Sequence, residues 1–248
     1  MKLLIENWRK FLTEDEGDYF PWLEELRANA WDFIEKQTRK DGHAGAGSFR
    51  QVVIPESDPD FVIKKMASGE YYMNKVEKKL GDEYPEVFPR VYAHDPRFDW
   101  IVVDRVIPLS RDNESLLEEA LVATMPKLYE YAYSLLNPEG KSESLDTKPF
   151  NLFSKIVHAA DTSKPRYSGD QLDYPPFREE QEIRDKLFEF GMKNEPWFVQ
   201  LSKAMHRYGV DSRDLKEGNI GLDTKDHTLK IIDASVFSKK SGEKNWDA

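Results

Sequence analysis

Cysteine is absent from all 248 residues, which excludes a disulfide framework, a thiolate metal site and a cysteine nucleophile. Histidine is scarce. The five present (His43, His94, His158, His206, His227) are scattered without ligand spacing, so a zinc site is not expected. No apolar run is long enough to span a bilayer, and the opening MKLLIENWRKFL is too charged for the apolar stretch of a secretory signal. An excess of positive charge is also missing. With a net charge of -10 and a pI near 5.1, non-specific binding to nucleic acid or to an anionic membrane is not expected, because neutralising phosphate needs a cationic face. Local basic groups such as Lys75, Lys78 and Lys79 do occur. There is no internal repeat and no low-complexity tract. These absences point to a cytoplasmic globular protein.

What is present suffices for a folded core. Hydrophobic residues make up 39% and charged residues 33%, and the length allows one large domain or two lobes. The richest stretch runs from Val210 to Phe237. Ile220-Gly221-Leu222 and Leu229-Lys230-Ile231-Ile232 flank the turn Asp223-Thr224-Lys225-Asp226, which predicts a β-hairpin. Such a hairpin brings the loop carrying Asp214 and Asn219 close to Asp233, so that two carboxylates and an amide converge. That suits phosphoryl transfer, where the protein mainly positions groups and neutralises charge. Asn219 and Asp233 offer a neutral and an anionic oxygen to magnesium, a hard cation, and Asp214 can take a proton from a hydroxyl nucleophile.

Ser212-Arg213-Asp214-Leu215-Lys216-Glu217-Gly218-Asn219 and Asp233-Ala234-Ser235 resemble the H-R-D-L-K-x-x-N loop and the D-F-G motif of the protein-kinase superfamily. Ser212 stands at the histidine position, and Ser235 at that of the glycine. Upstream and in the same order, Gly45-Ala46-Gly47-Ser48-Phe49-Arg50-Gln51-Val52 resembles the glycine-rich loop G-x-G-x-x-G-x-V, with Arg50 in the third glycine's place. Phe61-Val62-Ile63-Lys64 resembles the V-A-I-K strand. Alternation puts Val62 and Lys64 on one face and Ile63 and Lys65 on the other.

The resemblance implies ATP and magnesium as cofactors. Gly45, Gly47 and Val52 would cover the nucleotide. Lys64, tethered by Glu77 of the following helix, would hold the α- and β-phosphates. Asp104-Arg105-Val106 would form the hinge that binds adenine. Asn219 and Asp233 would hold the metal, Asp214 would act as base, and Lys216 would stabilise the transferred charge. Lys216 is also the mark of serine/threonine protein kinases, whereas Gly218-Asn219-Ile220 is reminiscent of aminoglycoside and choline kinases.

The expected fold is α+β and two-lobed. It comprises an N-terminal helical extension (1–40), a small lobe with an antiparallel sheet (41–106) and a mainly helical lobe (107–248). No A-P-E sequence follows Asp233, so the later helices of the large lobe are expected to be missing. The expected function is phosphate transfer from ATP to a hydroxyl, most readily a protein serine or threonine. The alternatives are a pseudokinase acting as a nucleotide-binding or interaction module, and a small-molecule kinase. The acceptor is thus a protein or a metabolite, with neither nucleic acid nor membrane as partner.

Along the rest of the chain, 1–40 reads as helical, with stripes Leu3, Leu4, Trp8, Phe11, Leu12 and Trp22, Leu23, Leu26, Trp31, Ile34. Packing on the small lobe is the favoured role, and docking of a protein partner is the other. The first dozen residues are similar to openings common among proteins of large marine tailed phages, which would make the host cytoplasm its location. A helix is expected over 70–80, ended by Gly81, with strands over 87–92 and 100–103. Helical pattern runs over 115–136 with a break at Pro126, and again over 150–160. Further helices over 177–190 and 196–208 are expected to end at Gly191 and Gly209.

Overall fold

The computed structural model describes residues 22–41, 45–46, 50–66, 71–138, 147–161 and 175–233. The chain divides into two units, Met1–Asn74 with Val91–Val103, and Lys75–Arg90 with Asp104–Ala248. The class is α+β. Eight α-helices accompany a five-stranded and a three-stranded sheet among the described residues.

In the first unit, α1 (Leu23–Ala28) and α2 (Ala30–Asp41) are separated by Asn29, where the sequence pattern suggested one continuous helix. Asn29 does two jobs. Its backbone N–H donates to Glu25 O (3.0 Å) to close α1, and its Oδ1 accepts from Asp32 N (3.3 Å) to cap α2. The sheet comprises β1 (Gly45–Ala46), β2 (Arg50–Val53), β3 (Phe61–Met66), β4 (Val91–His94) and β5 (Trp100–Asp104), in the order β1-β2-β3-β5-β4. The β1–β2, β2–β3 and β4–β5 pairs are antiparallel.

Because side chains alternate along a strand, each face of the sheet makes its own cluster. Val53, Phe61, Ile63, Ala93, Trp100 and Val102 pack with Trp22, Leu23, Leu26, Phe33 and Ile34, so the two helices cover this face. Val62, Val91, Ile101 and Val103 gather on the other, with Val52, Ile54 and Phe98 against them. Helices α1 and α2 thus pack on their own unit. The earlier stripe, Leu3 to Leu12, lies outside the described residues.

Helix α3 (Tyr72–Glu83) begins in the first unit and belongs to the second from Lys75 on. The second unit continues with β6 (Val106–Pro108), α4 (Glu114–Thr124), α5 (Pro126–Leu136), α6 (Pro149–Ala160), α7 (Pro175–Asn194), α8 (Pro196–Tyr208), β7 (Ile220–Asp223) and β8 (Leu229–Ile231). Val76, Leu80, Leu121, Phe153, Phe198 and Ile231 are among the residues of one continuous core here. Pro126, Pro149 and Pro196 each stand in a helix's first turn, where a missing N–H costs nothing.

Two glycines expected to end helices do not. Helix α3 runs through Gly81, which is there to admit a neighbouring backbone: a Cβ would lie 2.4 Å from Pro89 O. Helix α7 likewise runs through Gly191, where a Cβ would lie 2.6 Å from the Phe198 ring. The strand expected from Val87 begins only at Val91. Val87 and Phe88 donate to Tyr84 O at 3.0 Å and form a turn. No helix among the described residues is long and apolar enough to cross a membrane.

Candidate functional site

The loop that carries the acidic groups is built from successive tight turns. Helix α8 ends on Gly209, whose φ of 68° is the left-handed conformation that glycine adopts without strain. Buried Val210 then anchors the chain, and Asp211 accepts from Arg213 N at 3.1 Å, opening a 3₁₀ turn over Ser212–Asp214. At Leu215 (φ -81°, ψ 73°) the chain makes an inverse γ-turn, with Lys216 N donating to Asp214 O at 2.9 Å. This sends the Leu215 side chain into the core. A β-turn follows, closed by Asn219 N on Lys216 O (3.0 Å). Gly218 sits at its third position with φ 83°, which most side chains would resist. Leu109 fastens the loop, accepting from Gly218 N (3.1 Å) and donating to Ile220 O (2.9 Å).

Asn219 ties the three predicted residues together. Its Nδ2 donates to Asp214 O at 2.8 Å, while its carbonyl accepts from Ile232 N at 2.8 Å and Asp233 N at 3.4 Å. The side chain therefore fixes the Asp214 loop, and the backbone fixes the end of the hairpin. Asn219 Oδ1 accepts no hydrogen bond from the described residues. Asp214, Asn219 and Asp233 are all half-buried, and Lys216 is exposed with no ion-pair partner among the described residues. Arg213 pairs with Asp211 (3.0 Å), whose hydrogen bond, then its charge, holds the guanidinium proton more tightly than usual.

Among the described residues no group of three or more His, Cys, Asp or Glu could hold a metal. The expected pair offers the amide oxygen of Asn219 and the carboxylate of Asp233, two residues whose backbones meet where Asp233 N donates to Asn219 O (3.4 Å). Two protein oxygens fit magnesium, which keeps most of its coordination for water and phosphate.

The segment expected to bind adenine shares a sheet with this hairpin, in the order β6-β7-β8. Val106 pairs with Asp223, Arg105 O accepts from Thr224 Oγ1 (3.4 Å), and Asp104 takes the Lys225 ammonium at 2.5 Å while its N–H donates to Arg90 O. Glu77 is buried on α3.

In the first unit, the register aligns three other predicted residues in one row. Gly45 lies opposite Val52 and Val52 opposite Lys64, so they share a face across β1, β2 and β3. Lys64 is buried. Lys65, on the reverse face, meets Asp99 at 3.2 Å and the Trp31 ring at 3.9 Å, as alternation required. Gly47 and Ser235 lie outside the described residues.

Sequence reasoning missed a polar cluster beneath the loop. Ser212 Oγ lies 3.1 Å from His158 Nδ1 and donates to Asp161 Oδ2 at 3.0 Å. The only sequence signal was serine at the position where the kinase loop has histidine. Nor was the carboxylate of Glu83 foreseen, which accepts from Tyr208 Oη (2.5 Å) and pairs with Arg207 (2.8 Å). Compared with models of known protein families and with curated proteins, the chain has no match.

Proposed function

We propose that this protein is an ATP- and magnesium-dependent phosphotransferase with a two-lobed kinase-like fold, transferring the γ-phosphoryl group to a hydroxyl, in the first instance a protein serine or threonine. The observation that carries this reading is Asn219 holding the Asp214 backbone with its side chain and the start of Asp233 with its carbonyl. That is the arrangement a base and a metal-binding pair require when positioning does most of the catalytic work. In this assignment Asp214 orients the acceptor hydroxyl and takes its proton. Exposed Lys216 stabilises charge on the transferred group, and Asn219 and Asp233 hold magnesium, which supplies charge neutralisation when bound. The Gly45–Val52–Lys64 row serves the nucleotide phosphates, and Asp104 to Val106 the adenine. Work in the cytoplasm, that of a host if the protein is phage-encoded, accords with this chemistry.

The test is transfer of labelled γ-phosphate to the protein itself, to host lysate protein and to a metabolite panel, with Asp214→Asn alongside. Transfer by the wild type that falls about 100-fold or more in Asp214→Asn is expected. Equal signals would remove Asp214 from the chemistry. A thermal shift separates the alternatives, since ATP with magnesium at a hundred times its dissociation constant adds about 2.7 kcal/mol. Stabilisation without transfer would mark a nucleotide-binding module, and transfer to metabolites alone a small-molecule kinase.

A further inference from the structure

Ser212 is buried two residues before Asp214, and its hydroxyl has a single proton to give. That proton goes to Asp161 Oδ2 at 3.0 Å. With that proton committed to Asp161, the contact between His158 Nδ1 and Ser212 Oγ at 3.1 Å has the histidine as donor, with a proton on Nδ1. His158 lies in the last turn of α6, and Asp161 follows that helix directly. Asp161 is held from a second direction, since Arg184 of α7 donates to its backbone carbonyl. The end of α6 thus fixes the Ser212 hydroxyl, and the carbonyl of the same residue accepts Leu215 N at 3.3 Å, inside the turn that presents Asp214.

The order of the three groups excludes a nucleophilic serine. In a hydrolytic triad the imidazole stands between serine and carboxylate and accepts the serine proton. Here the serine stands in the middle, gives its proton to the carboxylate and is enclosed in protein. Such an arrangement holds a backbone in place.

We propose that Ser212, clamped by His158 and Asp161, is a positioning residue that sets the conformation of the Asp214 turn and thereby kcat, without contact with nucleotide. The kinetic half of this proposal rests on the phosphotransferase reading; the structural half does not. The full-length protein, Ser212→Ala, His158→Phe, their double variant and Ser212→Thr are compared by amide hydrogen exchange and by transfer kinetics. In Ser212→Ala the amides of Asp214, Leu215, Lys216 and Asn219 should exchange about tenfold faster, while Ile220, Leu222 and Ile231 stay protected, which shows that the unit is folded. The double variant should speed exchange by less than the two single changes combined, because the His158–Ser212 bond is lost in either. In turnover, kcat should fall about 100-fold with KM for ATP within about twofold, and Ser212→Thr, which keeps the hydroxyl, should recover most of it.

Unchanged exchange in Ser212→Ala, or additive effects in the double variant, would overturn the proposal. A KM effect with kcat intact would overturn it as well. If the wild type transfers no phosphate, the phosphotransferase reading falls, and the exchange comparison alone decides the role of Ser212.

Discussion

Replacing Asn219 with alanine should separate activity from stability. The substitution removes one partly buried hydrogen bond, Nδ2 to Asp214 O at 2.8 Å. Asp214 O keeps the N–H of Lys216 at 2.9 Å, so no buried acceptor is orphaned and the cost is that of a single bond, about 0.5–1.5 kcal/mol. The bonds from Ile232 N to Asn219 O and from Asn219 N to Lys216 O are backbone and survive. A chain of this size should then melt about 2–4 °C lower. On the proposed function, transfer should suffer far more, because an oxygen for the cation and the restraint on Asp214 would be lost together. By analogy with the loss of one preorganised polar group, kcat should fall about 100- to 1000-fold. Asn219→Asp splits the two roles: it keeps oxygen for the cation but sets a carboxylate without a donor against the Asp214 carbonyl. It should still bind Mn²⁺ while transferring poorly. Urea unfolding, Mn²⁺ titration and labelled-phosphate transfer are the assays. A stability loss above about 3 kcal/mol, or transfer within about threefold of wild type, would refute the reasoning.

Three further outcomes follow from the packing. Gly81→Ala gains helix propensity of about 1 kcal/mol but drives a Cβ to 2.4 Å from Pro89 O, where overpacking costs about 1–3 kcal/mol; urea unfolding should show net destabilisation. For the Lys65–Asp99 pair, Asp99→Ala leaves the buried ammonium with the Trp31 ring and should destabilise, whereas Lys65→Met removes the buried charge and should unfold within about 1 kcal/mol of wild type. If Lys65→Met proves the worse of the two, the cation is needed for more than its pairing. Burial first, then the hydrogen bond to Glu83, pushes the Tyr208 phenol up to about 12 from 10.0. A raised folded pKa means that its contribution is complete below pH 10 and is lost as pH rises towards 12. The stability difference between wild type and Tyr208→Phe should therefore shrink across that window, and a constant difference would contradict it.

Features governed by neighbouring residues were legible in the sequence. Pro126 splits two helices, Gly209 ends α8 in the left-handed conformation, and the alternating runs around Asp223 to Asp226 form the hairpin. The opposite facing of Lys64 and Lys65 was likewise read from the period of a strand. Gly81 and Gly191 were misread because a glycine that ends a helix and one that admits a close neighbour look alike until the neighbour is known. The turn at Val87 looked like a strand because its apolar residues pack into a core while its amides return to Tyr84.

By itself the sequence determined the α+β class, the hairpin that brings Asp214, Asn219 and Asp233 into one neighbourhood, and the strand face that carries Lys64, since all of these follow from local spacing and backbone preference. Only the tertiary structure decided that Asn219 links the Asp214 turn to the hairpin's end, that Ser212 is clamped by His158 and Asp161 at the end of α6, and that Gly45, Val52 and Lys64 form a row. The Ser212 contacts join residues more than fifty positions apart, and in the others the strand register and the fold of the loop choose one partner from several of the same chemical type.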